Sequence, residues 1–271
     1  MSEPGPTNSE PLAVVKLGGA VLSDPEAVAQ VWAGVASMNR AVVVHGGGPQ
    51  ATALARRLGH EPRIVAGRRV TSDLDLDVSL YTLRGALNAR LVASASPICR
   101  AVGVSGADGG LVTVVRRPPR EVDGETVDFG WVGDVESVDP ALLLTLLNAG
   151  FVPVVASVCA DDGGALYNVN ADTVASEIAG ALGAARLDLV TGAGGVRRDA
   201  DDPGSLLPTL TLAQADRGEA EGWIAGGMRP KLAVARAALA GGVGAVRVCA
   251  PADLAAPTSR IGSNGGTLIL A

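Results

Sequence analysis

Two short apolar runs, each closed by glycines and each followed by a helical pattern, constrain this 271-residue chain most. The first is Leu12-Ala13-Val14-Val15-Lys16-Leu17-Gly18-Gly19; the second is Ala41 to His45, closed by Gly46-Gly47-Gly48. Strand, glycine turn, helix, repeated, is the βαβ pattern of a buried parallel sheet. Such a sheet binds ligands at the carboxyl ends of its strands. Glycines there let an anion approach bare backbone N–H groups. A lysine in an apolar run is costly to bury unless it reaches water or meets an anion. Lys16 is therefore either a side chain snorkelling at the strand end or half of an anion site.

The pattern continues along the chain. Ser23 or Asp24 caps a helix with Pro25 in its first turn, running to about Met38. Pro49 starts a helix to about Leu58, stopped by Gly59. Residues 61–72 read as irregular and basic. Ser72 or Asp73 opens a long helix to about Ile98, with Leu76, Leu80, Leu83, Leu87 and Leu91 as a core or subunit-contact stripe. Ala101 to Val104 is a strand ending in a third glycine turn, Ser105 to Gly110. Leu111–Arg117 and residues 125–138 form a β-meander. A helix from Pro140 to Gly150 and a strand from Phe151 to Ser157 follow. The second half reads as a helix to about Leu182, a strand from Arg186 to Val190, and a long loop from Thr191 to Pro208. Helices over 212–221 and Met228–Ala240 and strands over Val243–Val248 and Thr267–Leu270 complete it. Residues 1–10 are expected to be a disordered tail. A soft boundary over 155–170 divides the rest into lobes 11–160 and 161–271.

Composition excludes several classes. The net charge of −6 and the 3% aromatic content give neither the basic patch nor the stacking platforms of a nucleic-acid binder. The most basic stretch, Arg116 to Arg120, reads as a solvated turn. Two histidines and three scattered cysteines offer no metal-ligand spacing, so no metal site is expected in the protein itself. The chain shows no signal peptide and no apolar run of membrane-spanning length. A reducing cytoplasm, with no membrane partner, fits.

Four motifs carry chemistry. Gly46-x-Gly48-x-x-Ala51 satisfies a dinucleotide fingerprint, but Arg68 and Arg69 stand where that fold needs an acidic residue. Arg69 followed by Thr71 suits a carboxylate clamp or a solvated loop. Asn168-x-Asn170-x-Asp172 opens a helix, and its capping role is compatible with holding a polar ligand. Lys231 follows Gly226-Gly227 in the first turn of a helix, where a cation opposes the dipole unless an anion sits between them.

Lys16-Leu17-Gly18-Gly19, His45-Gly46-Gly47-Gly48, Gly67-x-Arg69-Val70-Thr71, Asn168-Val169-Asn170-Ala171-Asp172 and Gly226-Gly227-Met228-x-x-Lys231 lie in the order and rough spacing of the acetylglutamate kinase family. Val104-Ser105-Gly106-x-Asp108-Gly109 and Gly133-x-Val135-Glu136 also resemble its intervening segments, so the resemblance spans about 12–270. It implies an α/β fold, a three-layer αβα sandwich around a mainly parallel open sheet. The first lobe would bind an N-acyl amino acid and the second MgATP, with Mg²⁺ held mainly by the phosphates. The implied reaction is phosphorylation of the side-chain carboxylate of N-acetyl-L-glutamate, in arginine biosynthesis. By the same resemblance Lys16 and Lys231 stabilise the transferring phosphoryl and Asp172 orients both lysines. Gly47, Gly48, Arg69 and Asn168 hold the acceptor, and Gly18, Gly19 and Gly227 meet the phosphates. Three segments depart from the family: Thr191 is followed by Gly192 instead of Asp, the loop Gly194–Pro208 is long and acidic, and Ser259–Gly266 differs. The short N-terminus implies a homodimer without strong arginine inhibition. Alternatives within the fold are an N-succinyl or carrier-linked glutamate or aminoadipate acceptor. An alternative of another class is a non-catalytic sensor of an amino acid or nucleotide.

Overall fold

The computed structural model describes residues 11–255 and 265–271. The expected tail at 1–10 and most of the Ser259–Gly266 segment lie outside them. In the first half the chain forms β1 (Leu12–Leu17), α1 (Gly19–Leu22), α2 (Pro25–Ala36), β2 (Arg40–His45) and α3 (Gly48–Arg57). A two-residue hairpin, β3 (Ile64–Val65) and β4 (Arg68–Arg69), leads to α4 (Asp73–Ser79), a π-helical stretch Leu80–Leu87 and α5 (Asn88–Ala95). Then come β5 (Ala101–Ser105), β6 (Val112–Arg116), β7 (Arg120–Val122), β8 (Glu125–Val127), β9 (Gly133–Val138), α6 (Ala141–Asn148) and β10 (Val152–Ala156). The second half holds β11 (Val158–Ala160), β12 (Leu166–Asn168), α7 (Ala171–Ala181), β13 (Arg186–Val190), β14 (Thr209–Thr211), α8 (Leu212–Glu221), α9 (Met228–Ala240), β15 (Val246–Cys249) and β16 (Thr267–Leu270).

Eight strands make the central sheet in the order β14-β16-β15-β13-β1-β2-β10-β5. The β15–β16 pair is antiparallel, and the other pairs are parallel. Parallel strands covered on both faces need continuous apolar sequence, which explains why β2 is buried throughout and why Lys16 alone breaks the burial of β1. One face packs Val15, Leu17, Val43 and Val154 against Val31, Trp32 and Val35 of α2 and Leu91 of α5. The other packs Val14, Val42, Val44 and Val155 against Leu143 of α6, Ile178 of α7 and Leu232 of α9. The architecture is the expected αβα sandwich. Among the described residues no helix is long and apolar enough to cross a membrane.

A second, four-stranded sheet runs β12-β11-β6-β9. Its antiparallel β11–β12 hairpin sets Asn168 opposite Val158, just beyond the end of β10. The long helix expected over 73–98 ends at Ala95, and its middle is widened into π turns. Leu83, Leu87 and Leu91 recur every four residues, more than one α-turn, and the wider turns accompany their common burial. The third glycine turn, after β5, lies at the same carboxyl edge of the sheet as the other two but farther from Lys16. β5 is the sheet edge, separated from β1 by β2 and β10.

Candidate active site

The carboxyl ends of β1, β2 and β10 and the first turn of α7 enclose a cavity of about 230 Å³. Lys16, Gly19, Gly46, Gly47, Gly48, Arg69, Ser157 and Asn168 to Asp172 line it. The close approach has a local cause. A Cβ on Gly19 would stand 2.6 Å from the Pro49 ring, and one on Gly46 would stand 3.2 Å from the Cβ of Ala171. Only glycine lets the two turns and the start of α7 pack this tightly.

Lys16 meets Asp172 at 2.8 Å, with side chains 12% and 19% exposed. Lys16 is therefore no snorkelling lysine. The contact is an ion pair whose angles miss hydrogen-bond geometry, and the buried Oδ1 of Asp172 has no hydrogen-bond donor. That atom can take another donor. The backbone N–H groups of Asp172 and Thr173 donate to the Asn170 side chain at 2.8 and 3.2 Å, which caps α7. Capping and site formation use the same residues.

Arg69 is nearly buried and already engaged. It donates to Asp75 at 3.1 Å, to the Thr52 hydroxyl at 2.5 Å and to the Gly48 carbonyl at 3.3 Å. Behind it, Asp75 accepts from the Ser72 hydroxyl at 2.7 Å and lies 3.1 Å from His60 Nε2. Burial alone would raise the Asp75 carboxyl, but the bonds from Ser72, His60 and Arg69 outweigh it and hold the group below its ordinary value. Asp75 thus stays ionised and fixes the Arg69 fork at the cavity edge. Asn168 donates to the buried hydroxyl of Thr71 at 3.4 Å. Neither Asp75 nor Thr52 was singled out in the sequence; the capping box Ser72-x-x-Asp75 was the available signal.

His45 closes β2 but is fully buried. Burial pushes it down to about 4, against the smaller effect of its bond to the Gly46 carbonyl. Its Nδ1 lies 2.8 Å from that carbonyl, and Asn88 Nδ2 lies 3.1 Å from Nε2. A neutral ring donating from Nδ1 and accepting at Nε2 satisfies both contacts, so His45 is a structural residue. Burial likewise pushes the Cys159 thiol up to about 12, leaving it inert.

Three expected residues stand elsewhere. The Gly18 N–H donates to Val190 O at 3.3 Å, so it ties β1 to β13 and is not free for a phosphate. Lys231 and Gly227 do not line this cavity. The Lys231 ammonium donates to the Gly227 carbonyl at 3.4 Å, within the first turn of its own helix. Asp172 is thus paired with one lysine instead of two. The Arg116–Arg120 stretch is not simply a solvated turn, because Arg117 is buried and bonds Asp134 at 2.6 and 2.9 Å. Among the described residues no three His, Cys, Asp or Glu side chains gather as a metal site.

The profile of the amino acid kinase family matches residues 11–250. A protein named acetylglutamate kinase from Anaeromyxobacter dehalogenans is 45% identical over 268 residues, covering 94% of this chain and 98% of that protein. One of the same name from Methanopyrus kandleri is 45% identical over 232 residues, covering 85% and 92%. Among solved structures, N-acetylglutamate synthase from Neisseria gonorrhoeae, complexed with coenzyme A and N-acetyl-glutamate, superposes with a TM-score of 0.78 at 25% identity. That match covers 96% of this chain and 59% of the synthase.

Proposed function

The chain belongs to the amino acid kinase family and, within it, to the acetylglutamate kinases, and from that premise we propose that it phosphorylates the side-chain carboxylate of N-acetyl-L-glutamate with ATP, in arginine biosynthesis. The observation that carries the reading is one cavity lined by the Lys16–Asp172 pair, four glycines of the strand-end turns, Arg69 and Asn168. A carboxylate oxygen attacks the γ-phosphorus, the bond from that phosphorus to the β-bridging oxygen breaks, and ADP leaves with the electron pair. The nucleophile is already ionised at pH 7, so no general base is required. The difficulty is bringing an anion to a polyanion, which positioning and fixed positive charge relieve.

In this reading Lys16 meets the transferring phosphoryl, and the Gly19 turn offers it backbone N–H groups. Gly47 and Gly48 receive the reacting carboxylate. Arg69, held by Asp75, grips the α-carboxylate, and Asn168 orients the acyl amide. Lys231 exchanges the Gly227 carbonyl for a phosphoryl oxygen when nucleotide binds. Mg²⁺ accompanies ATP, held by its phosphates and by water, and neutralises charge there. The first lobe takes the acceptor and the second the nucleotide. Three free cysteines suit a reducing cytoplasm. A homodimer across the β5 edge fits the exposed Ile98 beside it. The test is ATP-dependent acyl-phosphate formation trapped with hydroxylamine. Turnover that needs both Mg²⁺ and N-acetyl-L-glutamate is expected; no hydroxamate from any N-acyl glutamate would sink the reading.

A further inference from the structure

Asp75 serves two basic side chains. Its Oδ1 accepts from Arg69 at 3.1 Å, and its Oδ2 lies 3.1 Å from His60 Nε2. The carboxylate is buried, Arg69 is nearly so, and the imidazole is 28% exposed. His60 and Asp75 line a separate cavity of about 360 Å³, which shares no lining residue with the one holding Lys16. The imidazole thus exchanges protons with solvent outside the candidate active site. Its place is fixed, because the His60 backbone N–H donates to the Ala55 carbonyl in the last turn of α3 at 2.9 Å. Of the other charged groups there, Glu61 is gripped by Arg56 at 2.7 Å and Asp128 by Arg116 at 2.9 Å, and Arg63 adds a cation. An imidazole is the side chain that ordinarily changes charge between about pH 5 and 8, and the chain has two histidines. Burial keeps His45 neutral through that range and pushes all three cysteine thiols up, out of it. With its proton on Nε2, a neutral His60 still donates to Asp75, so titration changes the charge and keeps the contact.

We propose that His60 is a positioning residue for the acceptor, acting through Asp75, and that its charge sets how firmly Arg69 grips the acceptor's α-carboxylate. The inference rests on the kinase reading above and adds a pH dependence to its acceptor site. With His60 neutral, Asp75 cancels Arg69 and the three groups together carry no charge. With His60 protonated, two cations share one carboxylate and the group is positive. An arriving carboxylate then meets a net positive charge in partly desolvated surroundings that screen it less than water does. Acceptor affinity is therefore higher with His60 protonated and falls as pH rises. Linkage requires the converse. Bound acceptor favours the protonated ring, so binding takes up protons near neutral pH.

The test is isothermal titration calorimetry of the full chain with N-acetyl-L-glutamate, in the wild type and in His60→Gln. Nucleotide is left out because its phosphates titrate in the same range, whereas both acceptor carboxylates stay ionised throughout. The wild-type Kd is expected to rise about fivefold from about pH 5.5 to about pH 8, as the loss of one nearby charge implies. Buffers of different ionisation heat are expected to show proton uptake on binding at about pH 6.5. His60→Gln keeps an amide donor for Asp75 and no titrating charge. It is expected to hold the wild type's high-pH affinity at every pH and to take up no protons, whereas a merely structural role would shift Kd alike at every pH. A flat wild-type Kd without proton uptake, or a slope that persists in His60→Gln, would overturn the inference and leave the kinase reading standing. Absence of binding at every pH overturns it too, and the hydroxamate assay then decides separately whether the kinase reading stands.

Discussion

Lys16→Met separates catalysis from folding. The thioether keeps the apolar stem at the end of β1 and removes the ammonium that lies 2.8 Å from Asp172. Two energies follow. The ion pair is partly exposed on both sides, so its loss lies between that of a surface pair and a buried one, about 1 kcal/mol. Asp172 also keeps a second stabilising influence, because it stays in the first turn of α7 near the positive end of the helix dipole. Such a loss lowers Tm by only about 2–4 °C in a chain of this size. Catalysis should suffer more. Losing one preorganised positive group at the transferring phosphoryl costs about 3–4 kcal/mol of transition-state stabilisation, or about 10²- to 10³-fold in kcat. Asp172 would then face the substrates uncompensated and add repulsion. The hydroxamate assay measures kcat, and a thermal melt measures folding in the same preparation. A kcat within threefold of the wild type would refute the role given to Lys16. A melt that collapses by tens of degrees would refute the energetic division.

Arg69→Lys should raise the acceptor KM about tenfold with kcat little changed, because a point charge cannot reach Asp75, Thr52 and substrate together; an unchanged KM in steady-state kinetics would reject the clamp. Lys231→Ala should lower kcat by at least about tenfold and leave the acceptor KM near its original value, since Lys231 stands outside the acceptor cavity; unaltered turnover would remove it from the mechanism. Gly130→Ala should cost at least about 2 kcal/mol by urea denaturation, because Gly130 has φ +67° and its Cβ would strike the Thr71 carbonyl; wild-type stability would show that this crossing can relax. His45, pushed down to about 4 in the fold from the ordinary imidazole value of 6.5, binds fewer protons in the native state than in the unfolded one. Its contribution is present above pH 6.5 and is lost as pH falls toward 4. Stability should therefore drop by about 2 kcal/mol between pH 7 and pH 5 in denaturant titrations. A flat profile over that window would mean that His45 charges without penalty.

Much of the site was legible because its signals are local. The glycine turns after β1 and β2 and the asparagine cap of α7 are adjacent residues whose backbone demands can be read directly. The capping box Ser72-x-x-Asp75 was equally local. Yet its meaning, an aspartate holding Arg69, depends on where the β3–β4 hairpin lies against α4. β11, β12 and β14 escaped notice because three residues are too few to show a period.

The sequence by itself determined the βαβ order, the strands that must be buried on both faces and the glycines that admit an anion. Each follows from the side chain's own polarity or from the backbone freedom of one residue. Tertiary structure decided which charges meet. Lys16 pairs with Asp172 across 156 positions of the numbering, and Arg247 is buried against Asp188, 59 residues away. It drew Arg117 inward to Asp134. Such pairings depend on sheet order and on the crossings between strands and helices, because charge interactions act over a few ångströms of space and carry no mark of distance along the chain.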